Sequence, residues 1–475
     1  MKKLTFLVIG FLLWYNFIPA QIRIAPNTYA VYFKDKKGSN YNINEPEKFL
    51  SPKAIARRKR LNIQITEQDL PVSSKYVKIL DSIGAKVIET SKWLNCAVVK
   101  IRDTDSVTIN KIKQLPFVSP KRYTQGPKKF TKEVVKYKPL NIRPIKFKKD
   151  YYDYGLSKYF IKMLKLNILH DLGYRGQDIT MAVMDAGFYH LQDIPAFYTV
   201  WPKHKILGWY NFVEQDSNVF STGKHGMDVL SCILGNIPGI FVGTAPEVNV
   251  YLFVTEDSRS EYPIEEYNFV CAAEKADSLG VDMIQASLGY SKFDDDVSSY
   301  TYDQMNGNYA VSTIGADIAA SKGILVVNAA GNEGDSEWKH ITAPSDGDSV
   351  LSVGALAWTE KVAFFSSRGP TADGRIKPDV CALGLDVLIP DENGNINSLS
   401  GTSIASPIIA GAVASLYSAF PQANPQDIIE AVKRSADRAS DPNNSYGYGI
   451  PDMYKAYKYL MQKYKRRIIK NKNKK

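Results

Sequence analysis

The sequence predicts an α/β protein with a mainly parallel sheet, preceded by a smaller α+β unit. Apolar runs of strand length that end in polar residues, in the larger part of the chain, indicate buried parallel strands. Shorter elements of alternating type fill the first 150 residues. The length of 475 residues also exceeds that of one ordinary domain, so at least two units are expected.

Residues 1–20 have the pattern of a secretory signal. Lys2 and Lys3 precede an apolar run, which reaches Pro19 and Ala20. No later run is apolar for long enough to span a bilayer, and no cysteine follows the run to take a lipid. We therefore expect an exported chain, extracellular or periplasmic, without a stable membrane span.

Residues 21–123 alternate short strands and helices. The predicted order is strand, helix, strand, strand, helix, strand, at YAVYF, SSKYVKILDSIG, AKVIET, NCAVVKI, DTDSVTINKIKQL and VSPKRY. This order is that of a split βαβ unit, the ferredoxin-like arrangement. An extra basic helix, PKAIARRKRL, is expected before the second element.

The net charge changes sign between the smaller and the larger part of the chain. Residues 21–150 hold 29 Lys and Arg against 11 Asp and Glu, whereas residues 151–461 hold 21 against 38. Opposite charges steer association, which favours docking of the two parts on each other. The basic residues could instead be solvated or bind an anionic polymer. Nucleic acid is not an expected partner, because no aromatic-basic recognition motif occurs.

Two further segments have distinctive compositions. Residues 124–155 are rich in Lys and Pro, which predicts an exposed basic linker with a site for proteolytic maturation. The larger unit is expected at residues 156–462, beginning with a helical stretch over residues 156–172. Residues 463–475 carry eight positive charges and predict a disordered basic tail.

The segment SGTSIASP, at residues 400–407, is the most informative motif. Gly401 and Thr402 permit a tight turn, and the small apolar residues that follow predict a buried helix. Ser403 would lie at the positive end of that helix. A serine hydroxyl is a weak nucleophile without a neighbouring base, so the motif requires partners elsewhere.

Three polar residues have the positions that such partners need. Asp185 ends an apolar strand, His225 begins a helical stretch in which Gly226 permits close approach, and Asn332 lies in a Gly-flanked loop after another strand. Each alone would be interpreted as a turn or cap residue. Because strand carboxyl ends meet at one edge of a parallel sheet, we expect all three beside Ser403.

The order Asp, His, Asn, Ser and the motifs around it resemble a known family. The motifs are MDAG, HG, GTAP, ASLGY, FSSRGP and GTSIASP. The chain resembles the subtilisin-like serine proteases, the subtilases of peptidase family S8, over most of residues 182–436. The resemblance implies a three-layer subtilisin-like catalytic domain, preceded by a ferredoxin-like propeptide that covers it and inhibits it.

The resemblance also implies a role for each site residue. Ser403 would attack a peptide carbonyl to form an acyl-enzyme, His225 would transfer the proton, and Asp185 would orient the imidazole. Asn332 would donate to the oxyanion. The wall of the substrate groove would be formed by Ser287, Leu288 and Gly289. The implied partners are polypeptide substrates and the chain's own propeptide, and the protein would be made as a zymogen.

Two positions depart from the family pattern. Met227-Asp228 follows His225-Gly226 where Thr-His is usual, and Asp228 could compete for the imidazole or shift its basicity. Tyr290 stands where a second glycine is common, which predicts a differently shaped primary pocket. The cleavage specificity therefore does not follow from the resemblance.

No cofactor is required by such a triad, and no Cys or His spacing predicts a metal centre. Structural calcium, frequent in the family, could bind at residues 294–296 or 391–395, although solvated turns are the simpler interpretation. The four cysteines are Cys96, Cys232, Cys271 and Cys381. We interpret them as small buried side chains, with one disulfide among those of the larger unit left open.

Two other functions compete with an endopeptidase. A catalytically weak or inactive subtilase could bind peptides through the same groove, and only Met227-Asp228 favours this. An esterase or amidase could use the same triad. The Gly-x-Ser-x-Gly motif and the Ser, Asp, His order of α/β-hydrolases are, however, absent from the triad's sequence.

Overall fold

A computed structural model describes residues 21–103, 105–122, 134–143, 145 and 149–472. The predicted signal at residues 1–20 lies outside the described residues. We refer to residues 21–122 as the N-terminal unit and to residues 149–472 as the large unit.

The elements of the N-terminal unit are β1 (Gln21–Ala25), β2 (Thr28–Tyr32), α1 (Pro52–Leu61), α2 (Ser74–Ser82), β3 (Lys86–Ser91), β4 (Cys96–Lys100) and α3 (Ser106–Gln114). The helices of the large unit are α4 (Lys158–Met163), α5 (Leu166–Asp171), α6 (His225–Leu234), α7 (Ile264–Leu279), α8 (Val311–Ser321), α9 (Thr402–Ser418), α10 (Pro425–Ser435) and α11 (Met453–Lys472). Its strands are β5 (Thr180–Asp185), β6 (Ile206–Asn211), β7 (Asn236–Ile237), β8 (Phe241–Val242), β9 (Asn249–Val254), β10 (Met283–Ala286), β11 (Leu325–Ala329), β12 (Val350–Leu356), β13 (Val380–Leu383), β14 (Val387–Pro390) and β15 (Ile396–Leu399).

The N-terminal unit contains a four-stranded antiparallel sheet in the order β1-β2-β4-β3. Strand β1 was not predicted, and the strand predicted for VSPKRY is wrong. In its place Val118 makes one isolated bridge with Phe33. Pro120 has no N–H to donate, so a ladder cannot extend through this segment. The other predicted elements and the extra helix α1 are present.

The large unit is built on a seven-stranded parallel sheet in the order β13-β12-β11-β10-β5-β9-β6. Strand β5 shows why such strands are apolar throughout. Met181 and Val183 enter the core on one face, which includes α6 and α9, while Ala182 and Met184 enter the core on the other, which includes α7 and α8. Both faces are covered, so the predicted α/β class with three layers is confirmed.

The two units pack together through the α7 and α8 layer. Side chains of β1, β2 and β4 join the same apolar cluster as those of α7 and α8. The hydroxyls of Tyr32 and Tyr267 are 2.6 Å apart. The carboxylate of Glu274 accepts from the backbone N–H groups of Lys92 and Trp93, each at 2.9 Å. The sheet of the N-terminal unit therefore covers the outer side of these helices.

Most described residues of the predicted linker at residues 124–155 are exposed, whereas the prediction for the C-terminal tail needs correction. Part of the predicted exposed linker contacts the large unit, since the backbone N–H of Tyr137 donates to Ala439 O at 2.8 Å. The tail predicted to be disordered continues α11 as far as Lys472. Lys463 pairs there with Asp427 and Glu430 of α10, at 2.8 and 2.5 Å, which neutralises part of the basic run.

The predicted helical stretch over residues 156–172 is two helices, α4 and α5, separated by Lys165 in a left-handed conformation. All four cysteines are buried and free, so the interpretation as small core residues is confirmed and the disulfide left open does not form. Within the described ranges, no helix has both the length and the apolar character needed to cross a membrane.

Candidate active site

Asp185 and His225 form a hydrogen-bonded pair at the carboxyl end of β5. Asp185 is the last residue of β5 and His225 the first of α6, and Nδ1 of the imidazole lies 2.8 Å from Oδ1 of the carboxylate. Gly226 allows this approach, because a methyl group there would lie 2.8 Å from Asp185 Cβ. The His225 side chain remains 42% exposed, whereas that of Asp185 is 2% exposed. The base therefore faces solvent and its partner is buried.

The environment makes His225 a strong base. The carboxylate of Asp185 raises the pKa of His225 to about 9 against the opposing effect of burial. Asp228 and Glu256 add smaller contributions in the same direction. An imidazole of raised pKa accepts a proton readily once it is neutral, as a general base must.

Ser403 and Asn332 meet at the start of α9. Ser403 is the second residue of that helix and is 9% exposed. A methyl group on Gly401 would lie 2.6 Å from Ser403 Oγ and 3.7 Å from Asn332 Nδ2, so both groups face this glycine. A hydroxyl and an amide donor are thus held at the positive end of one buried helix.

Thr402 orients the Asn332 amide, a role that the sequence analysis missed. Its backbone N–H and its hydroxyl donate to Asn332 Oδ1 at 2.8 and 2.9 Å. The hydroxyl also accepts from the backbone N–H of Gly331 at 3.2 Å. With its oxygen held, the amide presents Nδ2 as a donor. The Gly-Thr-Ser motif was the available signal, but we assigned Thr402 only to the turn.

The predicted groove residues follow strand β10, which lies next to β5 and β11 in the sheet. Ser287 Oγ donates to the backbone oxygen of Ser403 at 2.8 Å, so its side chain supports the nucleophile's helix. The backbone oxygen of Leu288 accepts from Asn328 Nδ2 at 3.0 Å. Gly289 is exposed. Of the three, Gly289 presents the most open backbone to a peptide.

Asp228 does not compete for Nδ1 of His225, which is bonded to Asp185. It is 3% exposed, one helical turn beyond His225 on α6, and its Oδ1 is buried without a hydrogen-bond partner among the described residues. Burial raises the pKa of Asp228 to about 7, against the attraction of His225. This unusual carboxylate therefore acts on the imidazole through its charge.

Tyr290 points into the protein. It is fully buried, and its hydroxyl donates to Glu256 at 2.8 and 2.9 Å from the two carboxylate oxygens. Burial raises the pKa of Glu256 to about 8, although the bond from Tyr290 opposes this. The ring therefore fills space behind the segment of Gly289.

The segments considered for calcium form turns. Asp391 Oδ1 accepts from the backbone N–H groups of Asn393 and Asn395, each at 2.9 Å. The carboxylate of Asp295 accepts from Val297 N at the start of a short helical turn. Among the residues that the structure describes, no three His, Cys, Asp or Glu side chains group as metal ligands would. Calcium binding stays a prediction without geometric support.

Family models match both parts of the chain. The model described as the Subtilase family matches residues 176–449. A second model, described as a Peptidase S8 propeptide domain of Bacteroidota, matches residues 28–138. The first match contains Asp185, His225, Asn332 and Ser403.

Individual proteins are similar to the chain over part of their length. Subtilisin-like protease SBT6.1 of Arabidopsis thaliana is 30% identical over 314 residues, which cover 62% of this chain and 27% of that protein. Serine protease AprX of Bacillus subtilis (strain 168) is 30% identical over 305 residues, 58% of this chain and 65% of that protein. The chain thus matches about a quarter and about two thirds of these relatives.

A solved structure agrees on the fold. The crystal structure of MycP1 with the N-terminal propeptide removed superposes with a TM-score of 0.50 at 20% sequence identity. The match covers 63% of this chain and 96% of that one. At this identity the likeness concerns the fold alone.

Proposed function

Because the chain belongs to the subtilase family of serine proteases, we propose that it is a secreted endopeptidase that is made as a zymogen. It cleaves peptide bonds with an Asp-His-Ser triad through an acyl-enzyme. The observation that carries this proposal is the 2.8 Å bond between Asp185 and His225 at the sheet edge where Ser403 and Asn332 meet.

Each step of the reaction has a group to perform it. Ser403 Oγ attacks the peptide carbonyl while His225 accepts the hydroxyl proton, and Asp185 stabilises the imidazolium that results. Asn332 Nδ2 and the backbone N–H of Ser403 donate to the oxyanion. His225 then protonates the leaving amine, and water attacks the acyl-enzyme by the reverse sequence. No step calls for a cofactor.

The groove accepts an extended peptide in this proposal. The backbone at Ser287, Leu288 and Gly289 would add the substrate as a strand, with Gly289 as the most open contact. The matched propeptide domain supports synthesis as a zymogen, and maturation would occur within residues 124–155. Residues 124–133, 144 and 146–148 of that segment lie outside the described residues.

The test is labelling of the purified chain with a fluorophosphonate, which reacts with activated serines, together with measurement of chain mass. We expect label on Ser403, on a chain shortened within residues 124–155. Ser403→Ala should carry no label and should stay full length. Lys361→Ala, at an exposed position of the large unit, serves as a control for handling and should label like the parent.

Absence of label on a folded and shortened parent chain would refute the catalytic proposal and favour the peptide-binding alternative. Label on a fully active chain of full length would refute maturation within residues 124–155. An acyl ester substrate hydrolysed without any peptide cleavage would favour the esterase alternative.

A further inference from the structure

Helix α1 of the N-terminal unit lies against the edge of the large sheet that is opposite the catalytic side chains. Lys53 Nζ donates to Thr180 Oγ1 and to Asp282 Oδ2, each at 2.7 Å. Thr180 begins β5, which ends at Asp185. At the usual rise of a strand, the two ends of β5 are about 17 Å apart. The contacts of α1 are therefore remote from the groove.

The buried side chain of Arg57 joins α1 to the ends of two helices of the large unit. Its guanidinium donates to the backbone oxygens of Asp277 and Lys322, each at 3.2 Å, and to that of Val281. Asp277 lies in the last turn of α7, and Lys322 is the C-cap of α8. The last carbonyls of a helix lack intrahelical partners and carry partial negative charge. Arg57 therefore caps both helices from the other unit.

A buried network of charges surrounds this contact. Asp277 accepts from Arg57 at 2.5 Å and from Arg58 at 2.7 Å, and Asp69 lies 3.0 Å from Arg58 and 3.1 Å from Lys322. None of these five side chains is more than 5% exposed. The ion pairs cross between the units in both directions. Asp277 of the large unit pairs with Arg57 and Arg58 of α1, and Asp69 of the N-terminal unit pairs with Lys322 of the large unit. A buried charge left without its partner is costly, so the two units are tied together.

The shapes of the two surfaces also match. Gly280 and Gly323 follow α7 and α8 with φ of +81° and +87°. A methyl group on Gly280 would lie 2.7 Å from Lys53 Cβ, and one on Gly323 would lie 2.5 Å from Leu61 Cδ1. Helix α1 thus rests directly on both glycine turns, without room for a side chain.

We propose that α1 is a second docking element, in addition to the sheet that packs on α7 and α8. It holds the N-terminal unit on the large unit independently of the substrate groove. The inference rests on the proposed function in that it treats the N-terminal unit as the inhibitory propeptide. A peptide that competes for the groove does not touch Arg57 or its partners. The rate at which the N-terminal unit departs after the linker is cut is therefore set by the opening of this network.

The test uses the full chain with Ser403→Ala, so that no self-cleavage occurs. A recognition sequence for a specific protease is inserted within residues 124–133, the chain is cut there, and the dissociation rate of the N-terminal fragment is measured. Arg57→Met keeps an unbranched apolar stem but removes the guanidinium with its charge and its donors. We expect dissociation at least about 100-fold faster, as for loss of one partner of a buried charge network. Lys59→Ala, an exposed position on the same helix, is the matched control and should dissociate at the parent rate.

Arg57→Lys should fall between the parent and Arg57→Met, because an ammonium group keeps the charge but cannot contact three carbonyls in a fixed fork. Dissociation of Arg57→Met at the parent rate would overturn the proposal. If that chain does not fold, Lys53→Ala decides, since its side chain is 44% exposed and lies at the margin of the network. Faster release then supports the proposal, and an unchanged rate refutes it.

The two proposals fail in distinguishable ways. The dissociation rates are measured on chains that lack the nucleophile, so they do not depend on catalysis. An unlabelled parent chain would refute the protease proposal and leave these rates unaffected. A parent chain that labels at Ser403, with Arg57→Met retained like the parent, would refute the second docking element alone.

Discussion

Thr402→Val tests whether the orientation of the Asn332 amide limits turnover. Thr402 is fully buried and close in shape to valine. The substitution removes the 2.9 Å hydroxyl bond to Asn332 Oδ1 and the 3.2 Å bond that the hydroxyl accepts from the backbone N–H of Gly331, but it keeps the 2.8 Å backbone bond to Asn332 Oδ1. A hydrogen bond contributes about 0.5 to 1.5 kcal/mol net. If that amount is lost from the transition state, kcat falls about 2- to 13-fold. The KM should stay unchanged, because the ground-state carbonyl does not need the amide.

The assay is steady-state hydrolysis of a chromogenic peptide, with active sites counted by fluorophosphonate titration. Thr402→Ser keeps both hydroxyl bonds and should retain nearly the parent kcat. Asn332→Ala removes the donor itself and should cost about 10²- to 10³-fold, the magnitude known for the equivalent amide of subtilisin. The reasoning is refuted if Thr402→Val keeps the parent kcat, or if it costs as much as Asn332→Ala.

Three more substitutions test the site and the core. Asp228→Asn removes a negative charge that, like Asp185, raises the pKa of His225. The pKa of His225 should therefore fall, and the acid limb of the pH profile of kcat/KM should move to lower pH. An acid limb that stays in place or moves to higher pH contradicts this. Gly226→Ala places a methyl group 2.8 Å from Asp185 Cβ and 2.5 Å from the backbone oxygen of Gly187. It should lower kcat per titrated active site about 100-fold and should also lower the free energy of unfolding by about 1 to 3 kcal/mol, which active-site titration and calorimetry check together. The buried carboxylate of Asp379 pairs with Lys377 at 2.7 Å and with Lys433 at 2.8 Å. Burial would raise the pKa of Asp379, but the two lysines hold it well below its usual range, so its stabilisation is present above the unfolded pKa of about 4 and is lost on acidification. Asp379→Asn should therefore lower the free energy of unfolding by about 3 to 5 kcal/mol at neutral pH in urea titrations, and equal stability of parent and variant there would disprove this.

The sequence was sufficient where local patterns and chain order carry the information. Apolar runs followed by a polar residue placed Asp185 at the end of a parallel strand, and the Gly-Thr-Ser motif placed Ser403 at a helix start. Strand β1 was missed although residues 21–24 alternate between polar and apolar, because so short an alternation directly after an apolar run is a weak signal. Pro120 should have excluded the strand predicted at VSPKRY.

Contacts between distant segments could not be predicted in this way. Periodicity identified α1 as a basic helix but did not reveal that Arg57 reaches the carbonyls at the ends of α7 and α8. The buried direction of Tyr290 depends on Glu256, which lies 34 residues earlier in the chain. Lys463, the first residue of the predicted tail, likewise pairs with carboxylates of another helix. In each case the deciding partner is set by the tertiary fold.

Cys271 lies on α7 beneath the N-terminal unit, and its thiol is within 3.7 Å of the backbone oxygen of Thr90 in β3. Burial raises the pKa of this thiol well above its usual range, so the thiol is unreactive while the N-terminal unit is bound. Departure of the N-terminal unit would return the side chain to water and its pKa toward that of an ordinary cysteine. Alkylation of Cys271 would thus measure the fraction of molecules from which the N-terminal unit has dissociated.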